Sequence, residues 1–281
     1  MLLSELKSRF TKSLTLLYPA KEAESLFDIS AEFILKYSKS VIHQNLYKNI
    51  QPEAEKKMQQ VLSRLKKGEP IQYITGYAEF YGIPVRVDKR VLIPRQETEL
   101  LVDMVLKDTK KNEALKIIDL CTGSGCIAIA LSRNLPEAIV SVTDSSREAL
   151  DAAKENAAMN GCDIEFICDD LLHPSRNYDK YDCIVSNPPY VRKSEKQFMH
   201  SNVLDFEPHG ALFVEDADPL IFYRAIAEFS GKYLVPGGDI YLEINEYLGK
   251  ETGELFERSG FRKVTISKDL QNKNRYLTAK K

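Results

Sequence analysis

Up to about residue 65 the apolar positions recur every three or four residues: Leu2, Leu3, Leu6 and Phe10, then Ala23, Leu26, Phe27, Ile29, Phe33, Ile34 and Tyr37. That spacing places them on one stripe of successive helices and predicts a small helical bundle. Pro52 opens a further helix over 53–65, where a missing N–H costs least, and Lys66-Lys67-Gly68 closes it with cations and a glycine. From 71 to 94 the period changes to two, through Tyr73, Phe80, Tyr81, Ile83, Val85, Val87, Val91 and Ile93, among turn signals at Gly76, Gly82, Pro84 and Asp88-Lys89. This predicts a β-hairpin linker between two domains. Two strands added to a larger sheet fit less well, because glycines and prolines crowd the segment.

From residue 115 onward short apolar runs alternate with helical patterns: strands over 115–120, 138–143, 164–168, 181–186 and 239–244, with helices over 146–160, 219–234 and 250–259 among them. Such alternation specifies a parallel sheet covered on both faces. The last two runs, 263–267 and 275–279, are joined by a polar turn too short for a right-handed crossover and are expected to be antiparallel. An open, mostly parallel α/β sheet ending in one antiparallel strand separates a methyltransferase-like fold from a dehydrogenase.

A chain of 281 residues fits two domains, and its 43% hydrophobic and 28% charged residues are those of an ordinary globular protein. The net charge of −2 supplies no global basic field for holding long nucleic acid. The first nine residues lack a signal-peptide pattern, and no segment reaches the roughly 20 apolar residues of a membrane span. A cytoplasmic location is expected, without stable nucleic-acid or membrane partners, and the chain is expected to be a monomer. The five cysteines (Cys121, Cys126, Cys162, Cys168, Cys183) form no CxxC pair and the four histidines lack ligand spacing, so small buried thiols are expected and no metal.

The run Ile117-Ile118-Asp119-Leu120-Cys121-Thr122-Gly123-Ser124-Gly125-Cys126 reads as a strand, a tight glycine turn and the start of a helix. Glycines let backbone approach a ligand at positive φ, and a helix N-terminus leaves N–H groups free to meet it. A lone glycine turn is weak evidence. Asp144 at the end of the next strand, suited to ribose hydroxyls, and Asp169-Asp170-Leu171 at the end of the third, suited to adenine, strengthen it into a nucleotide-cofactor site. A dinucleotide fingerprint wants a third glycine where Cys126-Ile127 stand. Asp119 would repel pyrophosphate but attract a sulfonium or ammonium, so S-adenosylmethionine is the expected cofactor.

The fourth strand runs into Asn187-Pro188-Pro189-Tyr190. Two prolines fix φ and donate no hydrogen bonds, giving a rigid bend with free carbonyls. A planar nitrogen, on a base or an amide, has a delocalised lone pair and must be aligned to attack a methyl sulfonium. The Asn187 side-chain oxygen and the Pro188 carbonyl are expected to accept its two hydrogens, with Tyr190 stacked on its flat face. The plainer reading is a strand-terminating turn in which Asn187 caps and Tyr190 packs.

At these residues the chain resembles the PrmC/HemK family, the release factor glutamine N5-methyltransferases. Asn-Pro-Pro-Tyr is shared with adenine-N6 methyltransferases and fixes only the type of target atom. The wider likeness runs through Gly68-Glu69-Pro70-Ile71-Gln72-Tyr73-Ile74-Thr75-Gly76, Phe80-Tyr81-Gly82, Leu92-Ile93-Pro94-Arg95-Gln96-Glu97-Thr98-Glu99, Glu207-Pro208, Ala211-Leu212-Phe213 and Arg275-Tyr276. The resemblance implies a helical substrate-recognition domain over 1–70, a hairpin linker over 71–94 and a class I methyltransferase domain over 95–281 with a seven-stranded sheet. It implies S-adenosylmethionine as cofactor and the glutamine of the Gly-Gly-Gln loop in peptide-chain release factors as target, hence a role in translation termination. Cys121, Thr122, Gly123, Ser124, Gly125, Asp144, Asp170, Leu171 and Asn187 would meet the cofactor, with Asp119 beside them. Asn187, Pro188, Pro189 and Tyr190 would hold the glutamine, with Asn187, Pro188 and Tyr190 as the catalytic set. Cys121 stands where methyltransferases usually have the first glycine, and Leu171 where many relatives carry an aromatic. Arg95, Glu97 and Thr98 either line the substrate mouth or, for Thr98 or Gln96, begin a helix over 99–106. The competing readings are a DNA or RNA adenine-N6 methyltransferase and a non-catalytic partner-binding module on the same fold.

Overall fold

The computed structural model describes residues 1–109 and 114–281. Two compact units emerge: Met1–Gly76 with His200–Phe206, and Tyr77–Met199 with Glu207–Lys281.

The first unit contains α1 (Leu3–Leu14), α2 (Ala20–Leu35), α3 (Lys39–Gln44), α4 (Pro52–Leu65) and α5 (Ile71–Thr75). The apolar stripes meet in one core around Leu6, Phe10, Phe27 and Met58, with the rings of Phe10 and Phe27 edge-to-face at 5.5 Å. Pro52 stands in the first turn of α4, as its missing N–H favours. α5 departs from the expected strand rhythm. Ile71 and Ile74, three residues apart, both enter the helical core, and Gly76 at φ 78° closes the turn.

In the second unit β1 (Tyr77–Phe80) and β2 (Ile83–Arg86) pair antiparallel as a separate two-stranded sheet, the hairpin the sequence predicts. It is shorter than expected: Val87, Val91 and Ile93 are buried but lie in irregular backbone. After α6 (Gln96–Asp108) come β3 (Lys116–Leu120), α7 (Cys126–Asn134), β4 (Ile139–Asp144), α8 (Arg147–Met159), β5 (Ile164–Cys168) and β6 (Tyr181–Ser186). Ser146 caps α8, its Oγ accepting the Ala149 N–H at 3.1 Å. A short parallel pair, β7 (Val191–Arg192) and β8 (Phe213–Val214), follows, and α9 (Ser201–Phe206), between them in sequence, belongs to the first unit. The chain then forms α10 (Ile221–Tyr233), β9 (Leu234–Glu243), α11 (Gly249–Arg258), β10 (Arg262–Lys268) and β11 (Asn274–Lys280).

The seven-stranded sheet has the order β10-β11-β9-β6-β3-β4-β5. Its central strands carry almost unbroken apolar runs, with Ile117, Ile118, Leu120, Ile184, Val185 and Leu242 all buried, as a sheet covered on both faces requires. The antiparallel strand is β11, and it pairs with both β9 and β10. It therefore lies one place in from the sheet edge. Local sequence shows that β10 and β11 form an antiparallel pair but not which of them meets β9.

Candidate active site

In a doubly wound sheet the carboxyl ends of neighbouring strands open a crevice beside the switch in strand order. Here the ends of β3, β4, β5 and β6 border a cleft of about 300 Å³. Cys121, Thr122, Gly123 and Ser124 line it from the turn after β3, Asp144 from β4, Asp170 and Leu171 from the segment after β5, and Asn187 and Pro189 from the bend after β6. Eight of the ten expected cofactor residues, from four separate places in the sequence, are thus brought together.

The turn is held by its own backbone and by the neighbouring carboxylate. Gly125 N donates to Thr122 O at 2.9 Å, and Gly123 N donates to Asp144 Oδ2 at 2.9 Å. Asp144 Oδ1 accepts from Ser146 N at 2.9 Å. Burial raises the Asp144 carboxyl, and these N–H donors oppose that rise. Asp170 accepts from Leu172 N and faces His173 Nδ1 at 3.1 Å, which orients it at the rim. Cys121 adopts φ 60°, the left-handed conformation a glycine takes without strain. Asn156, fully buried on α8, ties turn to hairpin: Nδ2 donates to Ser124 O at 2.9 Å and to Arg86 O at 3.0 Å, while Oδ1 accepts Arg86 N at 2.7 Å.

Four of the expected site residues do not line the cleft. Gly125 is the N-cap of α7 at φ 79°, where an added Cβ would lie 3.1 Å from Ala153 Cβ; its part is to let α7 approach α8. Asp119 is wholly buried behind Thr122, whose hydroxyl donates to Oδ2 at 2.6 Å, while Oδ1 has no partner. Burial pushes this carboxyl up to about 7, with Asp144 adding repulsion. Pro188 is buried beside Asn187 in the bend. The Tyr190 hydroxyl is bound from behind, donating to Glu243 Oε1 at 2.7 Å and accepting from Arg275 at 3.3 Å.

Thr98 does not cap α6. The helix begins at Gln96 with Arg95 as its N-cap, and the Thr98 hydroxyl inside the first turn donates to Glu243 Oε2 at 2.7 Å. The same oxygen of Thr98 lies 3.1 Å from Asn187 Nδ2 and accepts from it. Arg95 lines the cleft and pairs with buried Glu207 at 2.6 Å, whose other oxygen accepts Ile93 N. Glu243 is the residue sequence reasoning missed. A carboxylate closing an apolar strand is the same signal that marks Asp144, and the run Tyr241-Leu242-Glu243 carries it.

Residues 5–76 match the PrmC N-terminal domain, and residues 96–214 match the methyltransferase small domain. The release factor glutamine methyltransferase of Flavobacterium psychrophilum is 44% identical over 99% of this chain and 98% of its own length. That of Streptococcus pneumoniae is 39% identical over the same shares, and that of Bacteroides thetaiotaomicron 46% over 80% of this chain and 81% of its own. The chain belongs to the release factor glutamine methyltransferase family. Membership bears out the resemblance carried by the Asn187–Tyr190 bend and its companion motifs. The fold agrees. A methyltransferase from Pyrococcus furiosus superposes with a TM-score of 0.51 at 16% identity, covering 71% of this chain and 89% of its own. The Thermus thermophilus 16S rRNA N2 G1207 methyltransferase, solved with AdoMet and guanosine, gives 0.53 at 18% identity, over 73% and 49%. Among the described residues no helix is long and apolar enough to cross a membrane.

Proposed function

We propose that this family member transfers a methyl group from S-adenosylmethionine to the side-chain amide nitrogen of the Gly-Gly-Gln glutamine in peptide-chain release factors. The observation that carries this reading is the meeting of two parts in one cleft: a glycine turn ringed by strand-end carboxylates, and the Asn187-Pro188-Pro189 bend that closes β6.

The chain's own residues fit the cofactor. Gly123, which lines the cleft, has open space where a Cβ would stand, and Asp144 keeps lone pairs beside its two backbone donors. S-adenosylmethionine, when bound, supplies an electrophilic methyl group on a sulfonium. Asp144 would receive the ribose hydroxyls, Asp170 and Leu171 the adenine, and the N–H groups of the glycine turn the remainder of the ligand.

Asn187 Oδ1 and the Pro188 carbonyl would each accept one hydrogen of the glutamine amide and hold its nitrogen in line. As positive charge grows on nitrogen, both acceptors stabilise it more than they stabilise the resting amide. The N–C bond would form as the methyl–sulfur bond breaks, leaving the neutral thioether S-adenosylhomocysteine, and the acidic N–H proton of the methylated nitrogen would pass through one of these acceptors to water, so the barrier falls without a dedicated general base. Tyr190, outside the cleft lining, would brace the bend from behind, its hydroxyl held by Glu243 and Arg275. The helical unit, by its match to the PrmC N-terminal domain, would recognise the release factor.

Incubation with tritiated S-adenosylmethionine and unmodified release factor, followed by peptide mass spectrometry of the Gly-Gly-Gln loop, tests the reading, with duplex DNA as a parallel substrate. One methyl on the glutamine is expected. Label in DNA adenine overturns the substrate assignment, and label in neither overturns the enzymatic one.

A further inference from the structure

Asn187 can act as an acceptor only if its amide presents oxygen, not nitrogen, to the substrate. The two orientations differ by a half-turn about χ2 and occupy nearly the same space, so packing does little to choose between them. Hydrogen bonding does choose. Glu243, only 2% exposed at the end of β9, takes two hydroxyl protons, from Thr98 on Oε2 and from Tyr190 on Oε1, both at 2.7 Å. A carboxylate has no proton to return. Thr98 has one hydroxyl proton, and with that proton given to Glu243 its oxygen offers only lone pairs to the side chain 3.1 Å away. The amide nitrogen of Asn187 satisfies that oxygen. The flipped amide would set two acceptors against each other in a buried site, at a cost of roughly 1–3 kcal/mol, or about a 5- to 150-fold bias.

The geometry points to Thr98 and Glu243 as positioning residues that lock the Asn187 amide with its oxygen toward the cleft. The inference rests on the reading of Asn187 as the acceptor for the target nitrogen. The relay is itself anchored. Arg275 on β11 donates to the Tyr190 hydroxyl and to Asp269 Oδ2 at 3.2 Å, placing a cation one residue from the Glu243 carboxylate. Burial raises the Glu243 carboxyl, and Tyr190, Thr98 and Arg275 counter that rise against the repulsion of Glu97. The parts come from α6, the bend after β6, β9 and β11, so the arrangement depends on tertiary packing of four elements.

The test uses the full chain, S-adenosylmethionine and unmodified release factor, and measures kcat, KM for the release factor and cofactor Kd. Asn187→Ala tests the parent reading first, and unchanged turnover there removes the basis of both. If turnover collapses, Thr98→Val removes the bias and leaves the two amide orientations about equally populated, so kcat is expected to fall about twofold with KM and cofactor Kd unchanged, and Thr98→Ser to recover the loss. Glu243→Gln, which can invert the bias, is expected to lower kcat by more than Thr98→Val, by up to about the same 5- to 150-fold. Its amide nitrogen can donate to Thr98, which frees the Thr98 proton for a flipped Asn187 amide. Equal turnover in Thr98→Val and wild type, or an equal loss in Thr98→Val and Thr98→Ser, overturns the lock while leaving the Asn187 assignment intact. Should Thr98→Val not fold, Glu243→Gln decides by the same readouts: wild-type kcat with normal cofactor binding refutes the inference.

Discussion

The two glycines of the cofactor turn differ in what surrounds them, and the difference sets the cost of adding a single methyl group. At Gly123, φ is 54° and an added Cβ meets nothing within 4 Å, so Gly123→Ala bears only the left-handed backbone penalty of about 1–2 kcal/mol. At Gly125, φ is 79°, and the new Cβ would lie 3.1 Å from Ala153 Cβ, 3.4 Å from Ala153 Cα and 3.5 Å from Ile129 Cδ1. Ala153 is a wholly buried residue of α8, and its backbone cannot rotate out of the way as a long side chain would. Overpacking of that kind costs about 1–3 kcal/mol. The entropy the unfolded chain loses on Gly→Ala is common to both variants and cancels in their difference. Gly125→Ala is therefore expected to be the less stable by about 1–3 kcal/mol in urea titrations. Far-UV circular dichroism is the suitable signal, since the chain has no tryptophan. Adding Ala153→Gly to Gly125→Ala, with Ala153→Gly alone as reference, should show a coupling of the sign that relieves the contact. Equal stabilities, or a coupling near zero, would refute the close-packing role given to Gly125.

Asp119→Asn tests a pH dependence. The buried carboxyl keeps its proton up to about 7, whereas the unfolded chain loses it near 4, so this residue's contribution to stability is fullest below about pH 4, declines as pH rises toward 7 and is level above. The variant should therefore lose stability less steeply than wild type between pH 5 and 7 in chemical denaturation, and an unchanged slope would show that Asp119 ionises normally. Asp144→Ala removes the acceptor for Gly123 N and Ser146 N as well as the ribose contact. Charge-assisted bonds of about 1.5–3 kcal/mol predict a 10- to 150-fold weaker Kd for S-adenosylhomocysteine by calorimetry. A change below threefold would move the ribose site elsewhere. Asn156→Ala strips partners from Arg86 N, Arg86 O and Ser124 O, and should cost about 3 kcal/mol or more and speed amide exchange at Arg86. Unaltered protection there would mean that the hairpin is held by other contacts.

Local periodicity was enough to read the helical unit, all seven strands of the large sheet and the two elements that meet in the cleft. Asp144, Asp170, Leu171 and Asn187 were legible because each closes or follows an apolar run, and strand ends are where a doubly wound sheet places ligands. Periodicity misread Ile71–Thr75, where the same isoleucines suit a strand or a short helix and the bundle core decides. It also overestimated the burial of cysteine, since Cys168 is exposed at the end of the edge strand β5. The strand-end position of Glu243 was legible, but its pairing with Thr98 and the orientation of Thr98 lay beyond local reading. Their meaning depends on β9 lying next to β6 and on α6 presenting its first turn to both, contacts between residues 98, 187 and 243 that no short window contains.

The placement of β11 bears on when this protein acquires its chemistry during synthesis. β9 and β10 are both made before the strand that separates them, so the sheet cannot grow by adding each new strand to its outer edge. Until β11, with β10 paired to it as a hairpin, docks on β9 in the register that sets Tyr276 opposite Glu243, Arg275 cannot reach Tyr190 or the carboxylate of Glu243. A nascent chain that has already formed the glycine turn and the Asn187 bend would still have an unfinished active site. Competence should then arrive in one late step, when the β10–β11 hairpin docks on β9.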